Sequence, residues 1–296
     1  MTELRKLQLQ SNSLTGTIAT EIGVLTALTY VNTHSNSLTG AIPTEIGVLT
    51  RMTYMHWCCN KFTNKLPTEL GKLTVMNSLH YNSNSLTGRV PAELFAMTEL
   101  LILQLHSNSL TGTIATEIGV LTALTTIHTH SNSLTGAIPT EIGVLTRMTY
   151  MHWCCNKFTN KLPTELGKLT AMDSLNYYSN SLTGRVPAEL FAMTELLILQ
   201  LQSNSLTGTI ATEIGVLTAL TTLHTHGNSL TGAIPTEIGV LTRMTYMHWC
   251  CNKFTNKLPT ELGKLTAMNS LYLNSNSLTG TLSTSLEALH PTLTNL

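Results

Sequence analysis

An asparagine returns every 24 residues through this chain, at Asn12, Asn36, Asn60, Asn84, Asn108, Asn132, Asn156, Asn180, Asn204, Asn228, Asn252 and Asn276. Twelve units of equal length, with no insertion, constrain the fold more than any composition could. A unit this short cannot enclose a core of its own. Each must bury its apolar side on the next copy, and the product is a solenoid. A slower period lies on top: residues 1–96, 97–192 and 193–288 are near copies, each opening Met-Thr-Glu-Leu. Identity between those blocks records copying. Recurrence among the four different repeats inside a block is the better guide to structural need.

One repeat, Leu100 to Ala123, reads LLILQLHSNSLTGTIATEIGVLTA. Leu103 and Leu105 alternate with Gln104 and His106, the period of two that marks a short half-buried strand. Strands one repeat apart must then stack in parallel. The fourth position after the asparagine is Gly in nine repeats and Asn64, Asn160 or Asn256 in the other three. Those two residue types tolerate a left-handed backbone, so a tight turn is expected there. Ile42 to Gly47 reads IPTEIG, with Pro at the start and Gly just past the end of a short helical or 3₁₀ turn. Trp57, Trp153 and Trp249, with Met55, Met151 and Met247 two residues earlier, occupy inward strand positions and read as core filling.

The pattern L-x-x-L-x-L-x-x-N followed by L-T-G-x-I-P-x-x-I-G-x-L-T resembles the leucine-rich repeat, in the plant-type subclass also seen in diatoms and other algae. The resemblance covers essentially the whole chain. It implies an α/β repeat solenoid, a horseshoe or superhelix of twelve repeats whose parallel β-sheet lines the concave side. It also implies that the repeated Asn forms a ladder satisfying backbone groups between turns. The solenoid is expected over residues 1–285. The tail 286–296, which loses the Gly and Asn signals, is expected as a partial C-terminal cap. The first repeat starts directly at its strand with no cap sequence. Either an N-terminal extension precedes it or the array self-associates end to end.

Formal net charge is zero and 11% of residues are charged, without the basic excess that nucleic-acid binding requires. No apolar run approaches the ~18 residues that span a bilayer. The six cysteines form three adjacent pairs, Cys58-Cys59, Cys154-Cys155 and Cys250-Cys251, which recur four strands apart. At ~4.8 Å per strand that is about 19 Å, beyond disulfide reach. Only a strained bond between sequence neighbours could form, so free thiols are expected, and these favour a reducing compartment. The absence of any Asn-X-Ser/Thr site points the same way. The family resemblance favours an extracellular one, and the compartment stays open.

Three outward positions per strand lie six, four and two residues before the Asn, giving 36 side chains on the sheet face. Lys6 is the one fixed charge among them. Ten of the eleven histidines are there, with Cys58, Cys154, Cys250 and six tyrosines. Most acids fall elsewhere, in a row from Glu21 to Glu261 nine residues after each Asn. Imidazole and thiol are suitable ligands for zinc or copper. The candidate metal sets are His34, His56 and Cys58; His128, His130, His152 and Cys154; and His224, His226, His248 and Cys250. Against a metal site, side chains on a sheet project in parallel rather than converge.

The leading expectation is a binding scaffold for a protein or peptide. Its contact residues are Tyr54, His56, His106, His128, His130, Tyr150, His152, Tyr178, His224, His226, Tyr246 and His248. Unperturbed histidines titrate near pH 6.5, so ligand binding is expected to vary between roughly pH 5 and 7.5. A structural or ice-binding solenoid is the second expectation, because Thr stands at the third position after every Asn (Thr15, Thr39, Thr63 and onward). An enzyme is the third and least supported, resting on a Cys–His pair such as His34 and Cys58 in a chain with a single aspartate, Asp173.

Overall fold

A computed structural model describes residues 3–282. The expected cap at 286–296 lies outside the described residues. The chain comprises two compact units, residues 1–148 and 149–296, which cut across the 96-residue sequence blocks. In the first unit six strands pair in parallel in chain order: Lys6–Gln8, Tyr30–Asn32, Tyr54–His56, Ser78–His80, Ile102–Gln104 and Thr126–His128. The second unit repeats this with Tyr150–His152, Ser174–Asn176, Ile198–Gln200, Thr222–His224, Tyr246–His248 and Ser270–Tyr272. Every pairing joins residue i to residue i+24, as in Lys6 with Tyr30 and Thr222 with Tyr246. The sequence period is therefore the sheet register.

The inward side chains pack as the alternation requires. Leu103, Leu105, Met55, Met151 and Met247 are buried, and Trp57, Trp153 and Trp249 are fully so. Trp57 stacks on Phe62 at 5.5 Å, and the Tyr81 hydroxyl donates to the Met55 sulfur at 2.6 Å. After each strand the chain turns and forms a second short strand, such as Thr15–Thr17, Ser37–Gly40 and Lys61–Phe62, again parallel to its neighbours.

The asparagine ladder is present. Asn60 Nδ2 donates to the Thr33 carbonyl of the preceding repeat at 3.0 Å and to the Cys58 carbonyl of its own at 3.2 Å. Its Oδ1 accepts from the Leu38 backbone N–H at 3.0 Å. Asn252 does the same with Thr225, Cys250 and Leu230. One buried side chain thus satisfies backbone groups on two successive turns, which is why neither Ser nor Gln can replace it at this spacing.

The expected left-handed turn appears in all twelve repeats, from Gly16 at φ 83° to Gly280 at φ 90°, with Asn64, Asn160 and Asn256 at 66–67°. A second left-handed position precedes every ladder asparagine, which the residue types do not advertise. It holds Ser in eight repeats (Ser11 at 55°), Cys59, Cys155 and Cys251 in three, and Gly227 in one. Only Gly227 carries a legible signal. The other eleven accept a backbone that L residues rarely adopt, because the following Asn anchors the turn.

Eleven five-residue 3₁₀ segments lie opposite the long sheet among the described residues, from Thr20–Val24 to Thr260–Lys264. The helical layer is 3₁₀, not α. Gly47 lies inside Thr44–Val48 and not past its end, so it is no stop signal. Phe95 and Phe191 occupy the same position in two repeats and continue the segment. The glycine is required by its neighbour: a Cβ on Gly47 would lie 2.6 Å from both the Glu69 Cβ and its carbonyl oxygen.

Candidate functional site

The outward side chains of the long sheet form ring clusters, two in the first unit and one in the second. In the first, Tyr30 and Tyr54 stack face to face at 4.5 Å with planes 3° apart. His56 lies between His34 at 4.6 Å and His80 at 4.7 Å. It also accepts or donates at both nitrogens, with the Tyr54 hydroxyl 3.2 Å from Nδ1 and the Cys58 sulfur 3.1 Å from Nε2. His80 is held by Ser78 at 2.6 Å and by Gln104 at 3.0 Å. Farther along, His106 stacks on His130 at 4.3 Å, as strand adjacency predicts, and His128 lies 6.2 Å from His130.

In the second unit His226 stacks on His248 at 3.9 Å, and His224 meets Tyr246 at 4.9 Å. Tyr272 extends the group, 4.8 Å from His248, whose Nε2 lies 3.1 Å from the Cys250 sulfur. His152 Nε2 is 3.2 Å from the Ser174 hydroxyl, Tyr178 hydrogen-bonds Cys154, and Tyr150 is exposed. The sequence expectation missed His80, Ser78, Gln104 and Tyr272 as contact residues. Their outward parity was legible, but the bonds of Ser78 and Gln104 to His80, and the ring contacts of His80 with His56 and of Tyr272 with His248, depend on side-chain positions that only the folded sheet sets.

Among the described residues, no three His, Cys, Asp or Glu groups are arranged to hold a metal ion. Tetrahedral ligation needs nitrogens and sulfurs to converge on a point, whereas neighbouring parallel strands hold these side chains side by side. All six cysteines are free thiols.

The clustering shifts the titration of the face. Burial pushes His56 down to about 4, helped by His80 and His34. Burial does the same to His224, again to about 4, with His226 and His248 adding. His80, His130, His226 and His248 are also lowered, burial being the main cause. The Cys58 thiol is pushed up to about 12 by burial and its hydrogen bond with Cys59, and Cys154 and Cys250 rise to about 11. Imidazole and thiol at 3.1 Å therefore make a neutral hydrogen bond, not the thiolate–imidazolium pair of a nucleophile. These six histidines titrate on the acid side of their ordinary value.

These histidines are harder to protonate folded than unfolded, so folding opposes proton uptake. Their contribution is fully present above pH 6.5 and is lost as pH falls from 6.5 toward 4. The urea midpoint should hold steady from pH 8 to 7 and decline through that window. Proton NMR should place the His56 and His224 midpoints near 4. Midpoints near 6.5 for both would contradict the buried clusters.

No family model and no curated protein matches the sequence. Solved structures do match its fold. A plant peptide hormone receptor in complex with RGF2 superposes with a TM-score of 0.93 at 28% identity, over 97% of this chain and 50% of that one. A leucine-rich repeat protein of Leptospira interrogans gives 0.69 at 28%, over 99% and 83%. A plant ice-binding protein gives 0.63 at 22%, over 93% and 81%, a likeness of fold alone. With its parallel 24-residue register and asparagine ladder, and with these likenesses, the chain is a leucine-rich repeat protein. It spans about half the length of the first receptors it matches.

Proposed function

We propose that this protein is a non-catalytic scaffold that binds an extended peptide along the outward face of the long sheet. The observation that carries the reading is the pair of ring clusters around His56 and His224, uncharged at neutral pH and bordered by tyrosine hydroxyls. Rigid aromatic rings supply contact area at little entropic cost, while Asn, Gln and Ser between them supply adaptable hydrogen bonding. The likeness to a receptor in complex with RGF2 supports the reading. The contact residues are Tyr54, His56, His106, His128, His130, Tyr150, His152, Tyr178, His224, His226, Tyr246 and His248. Partners of neutral or anionic character fit best, because Lys6 is the one fixed charge at these positions. Acidification from pH 6.5 toward 4 adds positive charge to this face and strengthens binding of an anionic peptide.

Panning a random peptide library against the protein tests this. Selected peptides should lose at least tenfold in affinity on His224→Ala with Tyr246→Ala, and keep it on Glu117→Gln on the opposite side. Equal affinity for all three proteins would sink the proposal.

The threonine row supports a second reading less well. Thr15, Thr87, Thr111, Thr183, Thr207, Thr231 and Thr279 are exposed, which an ice-contacting array requires. Lys61, Lys65 and Arg89 interrupt that side and break its uniformity. Thermal hysteresis in a freezing assay would favour the threonine row over the sheet face.

A further inference from the structure

Charge is scarce in this chain, yet two cations stand side by side on consecutive repeats at an edge away from the ring clusters. Lys65 bridges to Thr87 of the next repeat, and Arg89 pairs with Thr111 of the one after. Each stem rests on a left-handed glycine. A Cβ on Gly88 would meet the Lys65 Cγ at 2.6 Å, and one on Gly112 would meet the Arg89 Cγ at 2.7 Å. The glycines are thus needed twice, for the positive φ of the turn and for the space the aliphatic stem fills. The contact runs along each stem, from Cγ to Cε of Lys65 and from Cγ to Nε of Arg89, on strands about 5 Å apart.

Those heads border a cleft of about 480 Å³ lined by Lys65, Thr68, Gly88, Arg89, Glu93 and Thr111. Among the described residues, neither head group makes an ion pair or hydrogen bond. Two exposed cations on neighbouring turns attract an anion more strongly than either does alone. The threonine hydroxyls add donors. Glu93, the carboxylate in the lining, repels any anion and offsets part of the attraction of the two cations. The same pair of stems recurs in the second unit, with Lys161 on Gly184 at 2.7 Å and Arg185 on Gly208 at 2.7 Å. In the third copy Lys257 rests on Gly280 at 2.6 Å, but Thr281 stands where the arginine would be.

We propose that each Lys–Arg pair, Lys65 with Arg89 and Lys161 with Arg185, is a binding site for a tetrahedral oxyanion group, sulfate or phosphate, carried by a partner molecule. The arginine fork takes two oxygens and the lysine ammonium a third. The chain holds two such sites, and the Lys257 copy is not one.

Calorimetry of the full chain against inorganic sulfate and inorganic phosphate, at ionic strength matched with chloride, tests this. Two sites are expected. Arg89→Met with Arg185→Met should weaken binding at least tenfold while leaving the circular dichroism spectrum unchanged, since methionine keeps the stem on its glycine. Lys257→Met should change nothing. A sulfated disaccharide and a phosphoserine peptide then separate the two sources, the tighter one naming the partner's chemistry. Three equivalent sites, no binding above the chloride control, or indifference to the double arginine change would each overturn the proposal. So would binding of the inorganic ions with neither ester, which would mean an adventitious ion only.

Discussion

Replacing Gly71 or Gly167 with alanine should destabilise the protein by about 3 kcal/mol or more, whereas the same change at Gly23, Gly119 or Gly215 should cost under about 1. All five glycines occupy the same place in the repeat, inside a 3₁₀ segment, and a pattern-based reading would treat them alike. What differs is the neighbour. A methyl on Gly23, Gly119 or Gly215 would meet the Cβ of the next repeat's glutamate at 3.0–3.1 Å, where a small shift relieves it. On Gly47 or Gly239 it would come within 2.6 Å of Glu69 or Glu261. On Gly71 it would overlap the Glu93 carbonyl oxygen, and on Gly167 that of Glu189. A backbone oxygen cannot swing aside as a side chain can, so the two turns must part and open the core beneath them.

In the two tightest pairs, Gly71 with Glu93 and Gly167 with Glu189, the glutamate belongs to the repeat that carries Phe95 or Phe191 where the others carry glycine, and both rings are buried. Urea unfolding of the alanine variants should rank them Gly119, then Gly47, then Gly71 in order of increasing damage. Equal losses would show that the glycines serve local conformation and not the contact between turns.

The second large effect concerns the ladder. Asn252→Ala should cost about 2–4 kcal/mol, and Asn12→Ala about 1 or less. Asn252 is buried and bridges turns, donating to Thr225 O at 3.0 Å and accepting from Leu230 N at 3.0 Å. Its loss strands a buried carbonyl and a buried N–H on the preceding repeat, and no water reaches them. Asn12 donates only within its own turn, to Leu9 and Gln10, at an exposed position where solvent substitutes. Hydrogen exchange should show the Leu230 amide losing protection selectively in the Asn252 variant. If both substitutions cost the same, the ladder residue acts through its own turn and not by tying repeats together.

Much of this molecule was legible before any coordinate. The i to i+24 register, the outward and inward parity of each strand and the left-handed position at Gly16 and its equivalents all follow from residue types in a fixed period. So does the concentration of histidine, tyrosine and thiol on one face. The second left-handed position was hidden, because serine and cysteine fill it in eleven repeats and neither residue announces a positive φ. The titration behaviour was hidden too. Ten histidines on one face suggested a switch near pH 6.5, but burial and the neighbouring histidines take His56 and His224 far below it.

Sequence alone determined the number of repeats, the parallel sheet and which side chains share a face, because those follow from a period that each residue obeys locally. Only the tertiary structure decided why a glycine is present, whether a histidine is charged, and where a lysine stem comes to rest. Each of those is set by an atom about one repeat distant in sequence and a few ångströms distant in space. Gly71 shows the division well: its place in the repeat was readable, and the carbonyl of Glu93 that requires it was not.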